Sequence, residues 1–154
     1  IKSILKSDNA AMPEENILWR GIDRIGIEKM KKASKDPYGE TLFDLGFLST
    51  SFDKEIAMNF GTDVYSGEIT LIKIICPKGT KGIFIGDSYQ FKQDEVILQN
   101  ASVLHIINEE TRIISDEEAE MVEKFALEFE GLHDMRVKLY TVEYKGSVDE
   151  YYAD

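Results

Sequence analysis

The sequence predicts an α+β domain whose sheets are mainly antiparallel. Helical periodicity is confined to a few segments, whereas short runs with strand-like alternation recur along the chain. The order is a helix first and then many strands with few helices, which predicts the α+β class with sheets rich in antiparallel pairs. The length of 154 residues and a hydrophobic fraction of 43% indicate a single domain, 1–154, with its own core.

The first part of the chain is expected to begin with a helix. Ile1, Ile4 and Leu5 share one helical face, and Pro13 ends the segment because proline cannot continue a helix. The next elements are predicted as strand, helix, strand and helix, at residues 17–22, 25–33, 45–51 and 53–60.

The second part is dominated by strands. The run 68–76 has the strongest β character, with β-branched residues throughout. Gly and Pro clusters separate it from further short strands, and a loop is expected over 86–92. These further strands are predicted at residues 82–85, 95–98, 102–107 and 137–144.

Residues 115–131 form the clearest predicted helix. Ser115 followed by Glu118 matches a capping box, and Gly131 is a suitable C-terminal residue. The apolar face comprises Met121, Val122, Phe125 and Phe129. The acidic tail after Gly146 is expected to fray.

The charge and the cysteine and histidine content limit which partners, disulfides and metals the chain can have. A net charge of −11 disfavours nucleic acid and anionic membranes as partners, and no apolar run approaches the length needed to span a bilayer. The single cysteine, Cys76, excludes an internal disulfide and lies in a predicted buried strand. His105 and His133 lack partners at metal-ligand spacing, so no metal is expected. Because the chain begins with Ile1, we expect a longer protein that carries any targeting segment.

Three small motifs concentrate the polar chemistry of the chain. They are Arg20-Gly21, Ser49-Thr50-Ser51 and Gln93-Asp94-Glu95, each at a predicted strand or strand end. Each motif alone has an ordinary structural interpretation. An Arg-Gly pair suits a surface strand and turn, a Ser-Thr-Ser run near an aspartate suits a helix cap, and a strand glutamate suits solvent.

Taken in this order, the motifs resemble those of bacterial mono-ADP-ribosyltransferase toxins. The similarity is to the Arg–Ser–Glu branch, which contains the clostridial Rho-modifying exoenzymes and the enzymatic components of binary toxins. It rests on residues 12–21, 46–51, 57–61 and 93–98 and does not account for the helix 115–131. The resemblance implies an ADP-ribosyltransferase-like fold, in which two packed sheets with flanking helices surround an NAD cleft.

The resemblance assigns the first two motifs to NAD binding. Arg20 would contact the pyrophosphate, to which a guanidinium forks with charge-assisted hydrogen bonds. The backbone of Gly21 would hold the nicotinamide amide, because no side chain blocks close approach there. Ser49 would orient the catalytic glutamate, and Thr50 and Ser51 would complete the pocket.

The third motif would carry catalysis and acceptor choice. Glu95 would stabilise the positive charge that develops on the ribose as the bond to nicotinamide breaks. Gln93, two residues earlier on the same strand, would orient the acceptor. In the family that the chain resembles, several members that modify asparagine carry Gln at this position, and members that modify arginine carry Glu. Some guanine-modifying relatives also carry Gln, although the acidic charge argues against DNA.

Aromatic residues are expected around this centre. Phe60 resembles the aromatic near the nicotinamide ring, and the alternative is a core position in the apolar stripe that it shares with Ile56 and Ala57. Tyr89 and Phe91 would recognise the acceptor protein. They flank the position where relatives often carry an aromatic and this chain has Gln90.

These observations predict an NAD-dependent mono-ADP-ribosyltransferase that modifies a side chain, preferably an amide, of a target protein. Its partners would be NAD as co-substrate and a protein in a host or competitor cell. As a secreted or delivered toxin or effector, it would act in the target-cell cytoplasm. The alternatives are an arginine-directed transferase, an NAD glycohydrolase, or a catalytically inactive binding module of the same fold.

Overall fold

A computed structural model describes residues 10–63, 65–87, 92–123 and 132–151. Within these ranges the chain forms seven strands and four α-helices. The strands are β1 Asn16–Gly21, β2 Thr41–Ser51, β3 Thr62–Asp63, β4 Glu68–Cys76, β5 Gly82–Asp87, β6 Lys92–Ile113 and β7 Arg136–Ser147. The helices are α1 Arg24–Ser34, α2 Lys54–Gly61, α3 Asp116–Glu123 and α4 Val148–Tyr151, and a short 3₁₀ turn covers Leu132–Asp134.

The strands form a continuous sheet that closes on itself. Its order is β1-β2-β6-β7-β4-β3, β5 adds to β6, and β4 also pairs with β1. All of these pairings are antiparallel except that between β4 and β7. The α+β class and the mainly antiparallel pairing are therefore confirmed. The two sheets expected from the sequence are joined by hydrogen bonds, because β1 and β6 each pair with strands on both sides.

Strand β4 separates two hydrophobic cores. Ile72 and Ile74 belong to one core, which also buries Ile27 of α1. Ile69 and Leu71 point to the opposite face and pack in a second core with residues from α2 and α3. Because successive strand residues face opposite sides, a strand covered on both faces must be apolar almost throughout. This is why the 68–76 run is correctly predicted to the residue.

Cys76 ends this strand and is completely buried, as expected. Burial raises the pKa of its thiol to about 12, so the side chain behaves as a small apolar group at neutral pH. Among the described residues, no helix combines the length and apolar character required to cross a membrane.

Strand β6 differs most from expectation. Two strands were predicted at 95–98 and 102–107, whereas a single strand of 22 residues runs from Lys92 to Ile113. Ala101 has a positive φ of 55°, which bends the strand without ending it. Beyond Ile107 the strand is largely exposed and polar, so no alternation reveals it, although it pairs with β7 to its end.

Several element ends also differ. Strand β2 begins at Thr41, earlier than the predicted strand at 45–51. A bulge between Asp44 and Leu48 interrupts the alternation that would have revealed its first half. Helix α4 occupies Val148–Tyr151, so the prediction that the tail frays from Gly146 is wrong for these residues. The helix expected at the N-terminus falls mostly on residues 1–9, outside the described ranges. Met12, at its predicted end, is instead hydrogen-bonded through its backbone to Thr80.

The predicted capping box at the start of α3 is confirmed. The hydroxyl of Ser115 accepts a hydrogen bond from the amide of Glu118 at 3.2 Å, and the Glu118 carboxylate accepts one from the amide of Ser115 at 3.0 Å. Helix α3 is described as far as Glu123, and residues 124–131 of the predicted helix lie outside the described ranges.

Glu118 has a larger role than a cap. Its side chain is about 3% exposed and accepts two hydrogen bonds from the guanidinium of Arg112, at 2.5 and 2.7 Å. The ammonium of Lys54, at the start of α2, lies 3.2 Å from the same carboxylate. Burial raises the pKa of Glu118, but its hydrogen bonds with Arg112, Ser115 and Lys54 outweigh burial and hold the pKa at about 2. The carboxylate thus joins β6, α2 and α3.

This network predicts a specific loss of stability in acid. The folded protein keeps Glu118 ionised down to about pH 2, whereas the unfolded chain takes up the proton near its ordinary pKa of 4.5. The unfolded state therefore binds more protons in this window, and the stabilisation is complete above pH 4.5 and lost as the pH falls towards 2. We expect urea denaturation to show that Glu118→Gln costs up to about 3 kcal/mol at pH 6. The difference from wild type should shrink steadily below pH 4.5, and parallel pH profiles would contradict the assignment.

Candidate active site

A cleft lies where the ends of β1 and β2 meet α2 and β6. Its volume is about 210 Å³. The cleft brings together all seven residues that the sequence assigned to cofactor binding, together with three apolar neighbours. The lining residues are Trp19, Arg20, Gly21, Ser49, Thr50, Ser51, Ile56, Ala57, Phe60 and Glu95.

The register between β2 and β6 explains why the second and third motifs meet. Ser51 and Glu95 are direct antiparallel partners, and Ser49 lies two residues along β2 on the same face. The hydroxyl of Ser49 donates a hydrogen bond to Oε2 of Glu95. The carboxylate is thereby held in one orientation at the mouth of the cleft, where both side chains are at least partly exposed.

Arg20 reaches the cleft across the gap between β1 and β2. These two strands, whose backbones are described throughout, share a single ladder pair between Trp19 and Ser51. Beyond it, the guanidinium of Arg20 bridges the strands by donating to the carbonyl of Ser49 at 3.0 Å. Its Nε is buried and has no hydrogen-bond partner among the described residues. A positively charged side chain with an unused donor is therefore fixed beside the Ser49–Glu95 pair.

Asp44 is a site residue that the sequence reasoning missed. Its carboxylate lies 3.7 Å from Nη2 of Arg20 and accepts a hydrogen bond from the amide of Gly46 at 2.9 Å. The register of β2 shifts between Asp44 and Leu48, and such a bulge re-aims a side chain towards a neighbouring site. An aspartate two residues before a glycine inside a strand was the available signal.

The other two hydroxyls of the second motif serve the fold. The hydroxyl of Thr50 donates to the carbonyl of Val96 at 2.8 Å in a buried position. The hydroxyl of Ser51 accepts from the amide of Asp53 at 3.0 Å and so guides the chain into α2. Asp53 itself caps α2 by accepting from the amide of Glu55 at 2.9 Å. Thr50 and Ser51 thus make the contacts of a strand end and a helix cap, whereas the hydroxyl of Ser49 contacts Glu95 in the cleft.

Helix packing gives Gly21 a structural reason to be glycine in addition to the one inferred from the sequence. A Cβ at this position would lie 1.8 Å from the carbonyl oxygen of Ala57, so the backbone of α2 fills the space that a side chain would need. At Gly61, the last residue of α2, a Cβ would lie 2.2 Å from the carbonyl oxygen of Thr70 on β4. Two glycines thus let α2 pack directly on the sheet and form one wall of the cleft.

Phe60 lies on this wall with 67% of its surface exposed. Its alternative interpretation as a core residue is wrong, because α2 directs Ala57 and Met58 into the core. Trp19 also lines the cleft, although the sequence analysis had not assigned it a role. An exposed aromatic and a half-buried indole thus give the cleft apolar surface beside its charged groups.

The acceptor residues are only partly described. The backbone of Gln93 lies near the beginning of β6, and its side chain is outside the description. Tyr89 and Phe91 fall outside the described ranges. Within the described part of the chain, no group of three or more His, Cys, Asp or Glu side chains could hold a metal ion.

Comparison with known proteins identifies the class. A model of the ADP-ribosyltransferase exoenzyme family matches residues 4–131. The chain therefore belongs to this family, which confirms the resemblance seen in the motifs and the enzyme class expected from it. The match also covers the helical segment that the motifs did not explain. No curated protein matches the sequence.

Solved structures share the fold at low sequence identity. Plx2a, an ADP-ribosyltransferase toxin from Paenibacillus larvae, aligns with a TM-score of 0.60 and 17% identity over 94% of this chain and 67% of that one. C3larvin from the same organism gives 0.56 and 17% over 94% and 70%. C3stau2 from S. aureus, solved with NAD, gives 0.53 and 15% over 88% and 65%. At these identities the likeness establishes the fold.

The close contact between α2 and β1 leads to a testable expectation for Gly21→Ala. The added methyl group collides with backbone that cannot rotate away, so we expect a loss of about 3 kcal/mol or more and a Tm lower by roughly 6–12 °C. Gly46→Ala is the matched control. A Cβ there meets nothing closer than a side-chain oxygen at 3.6 Å, so thermal unfolding should change little. Equal Tm values for the two variants would show that α2 does not need the glycine.

Proposed function

We propose that this domain cleaves the bond between nicotinamide and ribose in NAD and transfers the ADP-ribose to an amide side chain of a target protein. The observation that carries the proposal is the hydrogen bond from Ser49 to Glu95 inside a cleft that also contains Arg20. Membership of the ADP-ribosyltransferase exoenzyme family supports the same reaction.

Glu95 is the catalytic carboxylate in this proposal. Departure of nicotinamide leaves an oxocarbenium-like ribose, and a fixed negative charge beside it stabilises the transition state more than the ground state. Ser49 supports this role by holding one oxygen of the carboxylate, which leaves the other to accept from a ribose hydroxyl. Pre-orientation of this kind avoids reorganisation during the reaction.

Arg20 is the pyrophosphate ligand in this proposal. The guanidinium is already oriented by the carbonyl of Ser49, and Asp44 provides a counter-charge at 3.7 Å. A phosphate group would replace that long ion pair with shorter, bidentate hydrogen bonds. Gly21, Thr50, Ser51 and Phe60 would complete the NAD site, with Phe60 offering a face for the nicotinamide ring.

The acceptor is proposed from Gln93. Strand alternation predicts that its side chain shares a side with Glu95 two residues later. An amide can donate to and accept from another amide, which suits asparagine or glutamine, whereas a carboxylate would suit arginine. Tyr89 and Phe91 would contact the target protein, and the acidic net charge of −11 favours a protein over nucleic acid as acceptor.

The cellular setting is also a proposal. Plx2a and C3larvin are described as toxins, which supports a role for this chain as a secreted or delivered toxin or effector. In that setting it would act in the cytoplasm of a target cell, where both NAD and target proteins are available.

The role of Glu95 is tested by Glu95→Gln, which keeps the shape of the side chain and removes its charge. We expect calorimetry to show NAD binding close to that of wild type and nicotinamide release to fall by about a hundredfold or more, because the lost interaction belongs to the transition state. Glu109→Gln is the matched control, since Glu109 lies on the same strand and contacts Lys138, which does not line the cleft. Wild-type turnover in Glu95→Gln would exclude the proposed role.

The acceptor is tested with labelled NAD and a cell lysate, followed by mass spectrometry of the modified residue. We expect label on asparagine or glutamine with wild type, and less protein label but continued nicotinamide release with Gln93→Glu, because the carboxylate no longer matches an amide. Label on arginine would overturn the amide assignment. Nicotinamide release without labelled protein would indicate a glycohydrolase, and NAD binding without release would indicate an inactive binding module.

A further inference from the structure

The first residue of α2 has a charge that its position does not favour. Lys54 begins the helix, where the partial positive charge of the helix dipole disfavours a cation. When a residue type that is disfavoured at its position nevertheless makes close contacts there, those contacts indicate why it is present. Lys54 makes two such contacts.

Two groups hold the Lys54 ammonium from different parts of the chain. The carboxylate of Glu118 lies 3.2 Å away, and it is fixed in turn by Arg112 and the amide of Ser115. The ring of Trp19 lies beneath the ammonium, with its centroid 5.2 Å away, which is within range of a cation–π interaction. Lys54 therefore connects the buried carboxylate of Glu118, on α3, to the aromatic residue Trp19, which lines the cleft.

We infer that Lys54 is a positioning residue for NAD binding, fixed by Glu118 and acting through Trp19. The inference rests on the proposed function. Lys54 does not line the cleft and contacts no proposed reacting group, so it affects binding by fixing the indole next to Arg20. Helix α3 supplies Glu118 and thereby acquires a role in the site that the three motifs alone do not reveal.

The protein provides its own reporter for this arrangement, because Trp19 is the single tryptophan of the chain. Lys54→Met keeps the length of the side chain and removes its charge. We expect a shift in Trp19 fluorescence in the free protein and a rise of about 3- to 10-fold in KM for NAD, with kcat within about twofold of wild type. Lys54→Arg should restore both, because a guanidinium also stacks on an indole and pairs with a carboxylate.

Lys31→Met is the matched control. The ammonium of Lys31 also lies 5.2 Å from an aromatic centroid, that of Tyr140, but neither residue lines the cleft. This variant should leave the emission of Trp19 and the KM for NAD unchanged. A general effect of removing a lysine from an aromatic ring would instead alter both variants alike.

A double-mutant cycle with Glu118→Gln distinguishes positioning from simple stabilisation. If Glu118 acts through Lys54, Glu118→Gln alone should raise KM, and the double variant should be no worse than Lys54→Met. A lower Tm with unchanged KM and emission in Lys54→Met would overturn the inference while leaving the proposed function intact. If wild type neither binds NAD in calorimetry nor releases nicotinamide, the proposed function fails, and the inference fails with it.

Discussion

The register between β2 and β6 determines how Ser49 and Glu95 meet in the cleft. On the face of these strands directed to the core, Leu48 pairs with Leu98 and Thr50 pairs with Val96, and all four are buried. A slip of one residue would bring the polar face into the core, so burial on one side fixes the alignment on the other. The buried hydrogen bond from Thr50 to the carbonyl of Val96 reinforces the same register. The contact between Ser49 and Glu95 is therefore a consequence of core packing.

The second wall of the cleft is fixed by helix α2. Its C-terminal half is pressed onto the sheet where Gly21 and Gly61 leave no room for side chains. Its N-terminal end is tied to Glu118 through Lys54, and that carboxylate also joins β6 to α3. Because both ends of the helix are held, the residues between them present a defined surface to the strands. A rigid wall opposite a fixed carboxylate is the arrangement that preorganised catalysis needs.

The features that sequence alone predicted are those with a local cause. The apolar run of β4 follows from burial on both faces, and the capping box of α3 follows from the spacing of Ser115 and Glu118. The family motifs identified the cleft residues because each motif lies on a strand end that the fold brings to one place. Gly21 was assigned correctly to the cleft, although packing against Ala57 explains why it must be glycine.

The features that sequence could not predict depend on contacts between distant segments. The continuity of β6 was missed because its exposed half has no alternation and Ala101 bends it in a left-handed conformation. The pairing of Asp44 with Arg20 depends on a bulge that no periodicity reveals. The contact between Lys54 and Trp19 joins residues on different elements, and neither residue type indicates it alone.

Because the protein is acidic, binding of an anionic substrate depends on the charged side chains close to the cleft. A net charge of −11 opposes the approach of a pyrophosphate, but charges farther away than about 8–10 Å are largely screened at physiological ionic strength. The potential in the cleft is therefore set by nearby charges of both signs, since Glu95 also lines the cleft. Arg20 lines it, and Lys54 and Lys73 both lie over the ring of Trp19, with ammonium-to-centroid distances of 5.2 and 5.8 Å. The fixed positions of these nearby charges, rather than the overall charge, therefore govern which anions can approach Arg20.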